Sequence, residues 1–221
     1  MPKRTRARYD QNYAAIEDDI LKMGSLVQDA IRQSLESLKQ RDTNLAQEVI
    51  DRDLLINDLR FKIEEACLTL IATQQPTAGD LRAVVAAMNI VVDMERMADH
   101  ASGIAKTVIR MGDEPLLKPL IDLPRMADLA REMLSGALDA FIKRDALAAK
   151  AIAPRDEEMD LLYKAIFDEL VEIMARKPDS VERATYLLWC AHNLERIGDR
   201  AINIVERVIF MTTGDMRELT F

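Results

Sequence analysis

The chain contains Met94-Glu95-Arg96-Met97-Ala98-Asp99 and, 100 residues later, Leu194-Glu195-Arg196-Ile197-Gly198-Asp199. Over 95–104 and 195–204, five of ten positions are identical. Each copy carries two acids four residues apart, so on a helix the two carboxylates share one face, one turn apart. A repeat over this distance predicts two similar structural units, and the repeated acidic pair predicts an oxygen-rich site in each of them.

The repeat extends over most of the chain and predicts an all-α fold of two tandem, pseudo-symmetric three-helix bundles. Up to the second break the halves are offset by 103 residues, so that Met23 matches Met126 and Leu35 matches Leu138. In the last helix the offset becomes 100. We assign residues 1–113 to the first unit and residues 120–215 to the second.

Capping and breaking residues predict the helix limits. The first helix is expected over about 12–39, a second after Asp42 or Thr43, and a third over about 80–111. The third helix of each half is apolar on more than one face, so we expect it between other helices or at an interface between the halves. Pro154 stands where the first half has Asp51, and a proline there should kink or split the fifth helix.

Composition narrows the class of protein. The chain is 49% hydrophobic but only 5% aromatic, with a net charge of -8, which is typical of an acidic helical protein and unfavourable for binding nucleic acid or anionic lipid. The longest apolar stretch, Ala83–Val92, is interrupted by Asn89 and is too short to span a bilayer. Cys67 and Cys190 lie in apolar helical stretches and are expected to be buried free thiols. Without a signal-peptide pattern, we expect a cytoplasmic protein with no direct membrane insertion.

A second set of oxygen ligands comes from the middle helix of each half. If the second and third helices pack antiparallel, each acidic pair faces another spaced pair, and such oxygens suit iron, manganese, magnesium or calcium better than zinc. A lone acidic pair is weak evidence, because random placement of the acids would produce about six such pairs in this chain, and a solvated helix face is its plain alternative. The candidate ligands are Asp53, Asn57, Glu95 and Asp99 in the first half, and Asp156, Asp160, Glu195 and Asp199 in the second.

The two histidines leave an enzymatic alternative open. His192, Glu195 and Asp199 share one helix face, which resembles the Glu-x-x-His spacing of di-iron carboxylate bundles with its order reversed. The matching residue in the first half is Val92, so we interpret His192 as a core residue or a neighbour of the ligands, and His100 as a partly exposed helix residue. No nucleophile with an adjacent base and no glycine-rich phosphate loop is present, which favours a protein that is not an enzyme.

The chain resembles the PhoU family, the accessory and regulatory proteins of bacterial phosphate uptake. The resemblance covers about 9–214 and both repeats. The residues that carry it are Tyr9-Asp10, Met23-Gly24, Gln75-Pro76, Asp80-Leu81-Arg82, the Met94–His100 segment, Asn193 to Asp199, and Asn203-Ile204.

This resemblance implies a non-enzymatic homodimer whose paired acidic motifs bind multinuclear metal clusters, reported as iron in some members. It also implies a connection between the ATP-binding subunit of the high-affinity phosphate transporter and the sensor histidine kinase, which dampens the phosphate-starvation response. Two residues depart from the pattern in the first half: Asn57 replaces an acid, and Gly103 stands where the second half has Asn203. Both departures weaken the expectation of a metal at the first site more than at the second.

The leading hypothesis is therefore a cytoplasmic adaptor of phosphate uptake and signalling with acidic metal-binding sites. One alternative is a di-metal carboxylate oxidoreductase on a helical bundle. Another is a helical interaction module whose acidic pairs are surface features. A third is a PhoU-like accessory protein of a different, lower-affinity phosphate permease.

Overall fold

The computed structural model describes residues 3–112 and 114–215 and consists there of seven α-helices and one short 3-10 turn, with no β-strand. The prediction of an all-α fold is confirmed. The helices are α1 (Lys3–Gln40), α2 (Thr43–Gln74), α3 (Gly79–Met111), α4 (Asp122–Lys143), α5 (Ala146–Lys150), α6 (Arg155–Arg176) and α7 (Val181–Thr213), and the 3-10 turn (Pro178–Ser180) precedes α7.

Two bundles form, as the repeat predicts. Helices α1, α2 and α3 pack on one another, and α4 to α7 form the second bundle, in which α5 and α6 are two pieces of the predicted fifth helix. The halves are joined by contacts of α1 with α4 and of α3 with α7, whereas α2 and α6 pack only within their own bundles. Helices α1 and α4 approach each other closely at Gly24, where an added Cβ would lie 2.3 Å from Leu138 Cδ1.

The central helices α3 and α7 run antiparallel and are buried by neighbours on several sides. At one end Arg82 Nε donates to the carbonyl oxygen of Met211, at 3.5 Å. At the other end Arg183 Nε lies 3.8 Å from Glu114 Oε2. Helix α3 contacts α1, α2 and α7, and α7 contacts α3 and every helix of its own bundle. The predicted position of these two helices, at an interface between the halves, is confirmed.

Local chemistry sets most of the helix limits. Asp42 caps α2, because its side chain accepts hydrogen bonds from the backbone N–H groups of Asn44 and Leu45. Helix α3 ends before Gly112, which adopts a φ of 57° that most other residues avoid. The chain between α5 and α6 turns at 151–154, so Pro154 splits the fifth helix as predicted.

The first helix begins nine residues earlier than expected, at Lys3 rather than near residue 12. Two tyrosines near the predicted start, one before it and one after it, are buried against α3. Tyr9 Oη donates to the carbonyl oxygen of Asp80 at 3.0 Å, and Tyr13 Oη donates to that of Ala83 at 3.3 Å. The apolar periodicity alone predicts a later start for α1. Contacts with α3 extend the helix, because helical stability in proteins comes mainly from packing.

Burial elsewhere agrees with the expected core. Cys67 and Cys190 are free and buried, as predicted, and burial raises the pKa of each thiol to about 12. A buried thiol of this kind behaves as a small apolar side chain. None of the helices in the described part of the chain is long and apolar enough to cross a membrane.

Candidate metal centre

The first acidic cluster, defined as Asp53, Asn57, Glu95 and Asp99, lies where α2 packs against α3. Burial is the main cause that raises the pKa of Asp53 and of Glu95, and the charge of Asp99 adds to it in both cases. Asn57 is half-buried on the α2 side. The three acids therefore interact across the contact between the two helices, while their role as metal ligands stays a prediction.

The second acidic cluster, defined as Asp156, Asp160, Glu195 and Asp199, lies where α6 packs against α7. Burial, and then the charges of Asp160 and Asp199, raise the pKa of Asp156 to about 6. Burial and the other three acids also raise the pKa of Glu195, against the opposing charge of Arg196. All four acids of this cluster are thus electrostatically coupled across one helix contact.

Asp156→Asn is expected to stabilise the metal-free protein at pH 7. The pKa of Asp156 is higher in the folded protein than in the unfolded chain, so ionisation of this carboxyl destabilises the fold. The destabilisation is absent below the unfolded pKa of about 4 and reaches its full value above the folded pKa of about 6. A pKa shift of this size would correspond to about 3 kcal/mol of destabilisation. Because the carboxylate is partly exposed, solvent screening reduces this effect to roughly 1 kcal/mol.

Chemical denaturation in the presence of a chelator, at pH 7 and at pH 4, measures this gain. The substitution should raise the free energy of unfolding at pH 7 and leave it nearly unchanged at pH 4. Asp168→Asn, which removes an exposed acid from the same helix, is the matched control and should have little effect at either pH. An equal gain from both substitutions would show that general charge reduction, not this cluster, is responsible.

Both clusters contain a buried carboxylate oxygen that has no hydrogen-bond partner, Oδ1 of Asp53 in the first and Oε2 of Glu195 in the second. A buried acceptor without a partner is costly, and a bound cation would satisfy it. Carboxylate oxygens of this kind suit hard cations. The second cluster offers four carboxylates, which is the donor type that the metal implied by the family resemblance requires.

Arginines pair with both clusters. In the first, Arg60 Nη1 lies 3.5 Å from Glu95 Oε1. In the second, Arg196 Nη1 donates to Asp199 Oδ2 at 2.9 Å, and its Nε lies 3.4 Å from Glu195 Oε2. Across residues 3–112 and 114–215, no three His, Cys, Asp or Glu side chains stand in an arrangement that could hold a metal ion. Binding of an ion in the second cluster would therefore require its carboxylates to come closer together and Arg196 to release Glu195 and Asp199.

The two histidines occupy different environments. His192 is half-exposed beside the second cluster, with Nδ1 3.5 Å from Glu195 Oε2 and its ring centroid 6.3 Å from that of Tyr163. It is therefore not a core residue, and burial, Arg196 and then His100 lower its pKa. His100 is hydrogen-bonded across the halves, with Nδ1 3.0 Å from Asn193 Oδ1. The structure thus makes His192 a neighbour of Glu195 and gives His100 an inter-bundle contact that the sequence interpretation missed.

A polar contact within the α3–α7 interface also went unpredicted. Asp93 of α3 is buried and accepts a hydrogen bond from Asn203 Nδ2 at 3.1 Å and one from Arg200 Nη1 at 3.4 Å. The signal that could have found it is an acid within the most apolar helix of the first half. Such an acid needs a partner, and here the partners come from the other bundle.

The contact at the pseudo-symmetric position explains why residue 103 is a glycine. With the offset of 100, Asn193, His100 and Gly103 correspond to Asp93, Arg200 and Asn203. A Cβ on Gly103 would lie 2.9 Å from Asn193 Oδ1, which is closer than carbon and oxygen normally approach. The departure at Gly103 therefore reflects the close contact of α3 with α7, not the chemistry of the first cluster.

Comparison with known proteins agrees with this architecture. A family model described as the PhoU domain matches the chain twice, over residues 20–108 and 123–208. The chain belongs to the PhoU family. The predicted resemblance is thereby confirmed, while the unit limits of 1–113 and 120–215 stay a prediction.

Two curated PhoU relatives cover nearly the whole chain. One from Clostridium acetobutylicum is 35% identical over 97% of this chain and 99% of its own length. One from Aquifex aeolicus is 37% identical over 90% of each chain. Both are described as "phosphate-specific transport system accessory protein PhoU homolog".

Solved PhoU structures share the fold. The crystal structure of PhoU from Pseudomonas aeruginosa matches with a TM-score of 0.89 and 32% identity, over 94% of this chain and all of that one. That of the phosphate transport system regulatory protein PhoU from Streptococcus pneumoniae matches with a TM-score of 0.89 and 33% identity, over 96% of this chain. These PhoU proteins are named for accessory and regulatory roles. The prediction that the chain is not an enzyme is confirmed, and the oxidoreductase alternative has no support among them.

Proposed function

We propose that this chain is a cytoplasmic, non-enzymatic regulator of phosphate uptake and of phosphate-starvation signalling. In this proposal it acts as an adaptor between the ATP-binding subunit of a high-affinity phosphate ABC transporter and the phosphate-sensing histidine kinase, and it forms a homodimer. The observation that carries the proposal is the match to the Clostridium acetobutylicum accessory protein over 99% of that relative's length. The match covers both repeats of this chain, so the likeness extends far beyond a single motif.

The same proposal includes metal ions bound at the acidic clusters, multinuclear iron first, with manganese, magnesium and calcium as alternatives. In the second half Asp156, Asp160, Glu195 and Asp199 would hold the ions, and the counterpart in the first half is Asp53, Asn57, Glu95 and Asp99. A bound cation would neutralise mutually repelling carboxylates and join α6 to α7. The unpartnered Oε2 atom of Glu195 supports this assignment.

Affinity purification of the tagged chain from detergent-solubilised cells tests the adaptor role. The tag is placed on the chromosomal copy so that the chain is made at its native level, and an unrelated helical protein with the same tag is the control. We expect mass spectrometry to find the ATP-binding subunit of the high-affinity phosphate transporter and the histidine kinase specifically enriched. Enrichment of a different phosphate permease would favour the accessory alternative, and enrichment of neither component would refute the adaptor role.

A further inference from the structure

The two acidic clusters differ in the side chains that surround them at equivalent positions. With the offset of 103 between α2 and α6, Arg60 corresponds to Tyr163. With the offset of 100 between α3 and α7, Lys106 corresponds to Glu206. Two positions that carry positive charge in the first half are therefore aromatic and acidic in the second. Each such position lies on a helix that contributes acids to its cluster.

Arg60 crosses from α2 to α3 and is held on three sides. Its Nη1 lies 3.5 Å from Glu95 Oε1, its Nε lies 3.3 Å from Glu64 Oε1, and its guanidinium carbon lies 5.0 Å from the centroid of the Phe61 ring. The side chain of Arg60 is 24% exposed and that of Glu95 is 16% exposed, so solvent screens this pair less than a surface pair. The guanidinium is thus a fixed positive charge within the first cluster.

Lys106 lies on α3, the helix that carries Glu95 and Asp99, and it is exposed. Its charge lowers the pKa of Asp53, in opposition to burial and to Asp99, which raise it. For Asp156, the equivalent residue in the second half, all three causes of the shift raise the pKa: burial, Asp160 and Asp199. Arg60 is therefore the cation that contacts an acid of the first cluster, and Lys106 adds an exposed charge on α3.

The second cluster has a different neighbourhood. Tyr163 packs its uncharged ring against His192 and Phe167, with centroid distances of 6.3 and 6.4 Å. The cation that pairs with this cluster is Arg196, which follows Glu195 directly on α7 and has a side chain 45% exposed. Such a side chain can turn to solvent without disturbing the contact between α6 and α7. Arg60, in contrast, is held between two helices.

We infer that Arg60 is a built-in counter-ion of the first cluster and occupies the role of a metal there. Cation binding, on which the proposed function relies, then belongs to the second cluster alone. Two further features of the first half agree with this inference. Asn57 supplies an amide where the second half has Asp160, so the first cluster has one fewer negative charge to neutralise. The arginine that pairs with Glu95 comes from the opposite helix of its cluster, whereas the arginine beside Glu195 comes from the same helix.

Titration of the chelator-treated protein with Mn²⁺, followed by calorimetry and by electron paramagnetic resonance of free Mn²⁺, tests the inference. Asp156→Asn with Glu195→Gln should weaken binding more than about tenfold, whereas Asp53→Asn with Glu95→Gln should leave the affinity within roughly twofold. A triple variant, Asn57→Asp with Arg60→Tyr and Lys106→Glu, gives the first cluster the residues of the second. It should bind roughly twice as much Mn²⁺ per chain as the wild type.

A milder variant avoids dependence on the folding of the triple variant. Arg60→Gln leaves Glu95 without its partner, so it should lower the melting temperature in chelator, and Mn²⁺ should restore most of the loss. Arg52→Gln, which removes an exposed arginine of the same helix, is the matched control and should show neither effect. Added Mn²⁺ that leaves the loss in Arg60→Gln unchanged would overturn the inference.

Different experimental results would contradict the inference and the proposed metal function. Equal weakening of Mn²⁺ binding by the first-cluster and second-cluster substitutions would overturn the inference and leave the metal function standing. If the wild type binds no Mn²⁺, that part of the proposed function is refuted. Arg60→Gln then still decides the inference, since recovery of its melting temperature on addition of Mn²⁺ supports the counter-ion role and no recovery overturns it.

Discussion

Deletion of the gene for this chain is expected to leave alkaline phosphatase active in phosphate-rich medium, in which the parent strain represses it. The reason is that the proposed adaptor reports a sufficient phosphate supply from the transporter to the histidine kinase. Without it the kinase would continue to signal starvation. Phosphatase activity per cell, measured in phosphate-rich and phosphate-poor medium, gives the result, and a plasmid copy of the gene should restore repression. Full repression in the deletion strain would refute the regulatory role.

Complementation of the same strain separates the contribution of the two clusters. Glu195→Ala with Asp199→Ala should fail to restore repression if cation binding at the second cluster is required. Glu95→Ala with Asp99→Ala is the matched control, because it removes the equivalent charges from the first half and should still restore repression. Equal complementation by both variants, at equal protein levels, would favour a helical interaction module in which the acidic pairs are surface features.

Asp93→Ala is expected to lower the free energy of unfolding by about 2–3 kcal/mol, which corresponds to a fall in melting temperature of roughly 5–10 °C for a chain of this size. The substitution leaves Arg200 and Asn203 without their partner inside the α3–α7 interface. Removal of one member of a fully buried ion pair usually costs more than this. Here the side chains of Asp93 and Arg200 are 13% and 25% exposed, so water partly compensates the loss.

Asn193→Ala is the matched control for Asp93→Ala, because Asn193 is the pseudo-symmetric residue on α7. It loses a neutral contact with His100 and should cost only about 1 kcal/mol. Asp93→Asn with Arg200→His copies the Asn193–His100 pair and should retain more stability than Asp93→Ala. Thermal and chemical unfolding measure all three variants, and an equal loss for Asp93→Ala and Asn193→Ala would show that the charged pair adds nothing to the interface.

Much of the architecture follows from signals within the sequence itself. The 3.6-residue periodicity, the cap at Asp42 and the break at Pro154 depend on neighbouring residues, so they predict helices and breaks directly. The repeated motif predicts that acids on successive helices of each half lie near one another, since a short connection makes successive helices antiparallel neighbours. The electrostatic repulsion between Asp156 and Asp199 is of this kind.

Local sequence signals do not predict where α1 starts. The apolar stripe predicts a helix from about residue 12, yet the hydroxyls of Tyr9 and Tyr13 bond to backbone carbonyls about 70 residues away. Nothing near these tyrosines in the chain indicates that partner. The extension of α1 therefore depends on the packing of α1 against α3.

The sequence by itself determined the all-α class, the two bundles, the family and the eight residues of the paired motif, because periodicity and internal repetition are written along the chain. Only the tertiary structure decided what surrounds the two copies of Glu-Arg-x-x-Asp. Arg60 reaches Glu95 and Asp93 meets Arg200 because helices from distant parts of the chain pack together. Two motifs with the same spacing thus carry different electrostatic surroundings, since the charge at each site is the sum over all helices that pack there.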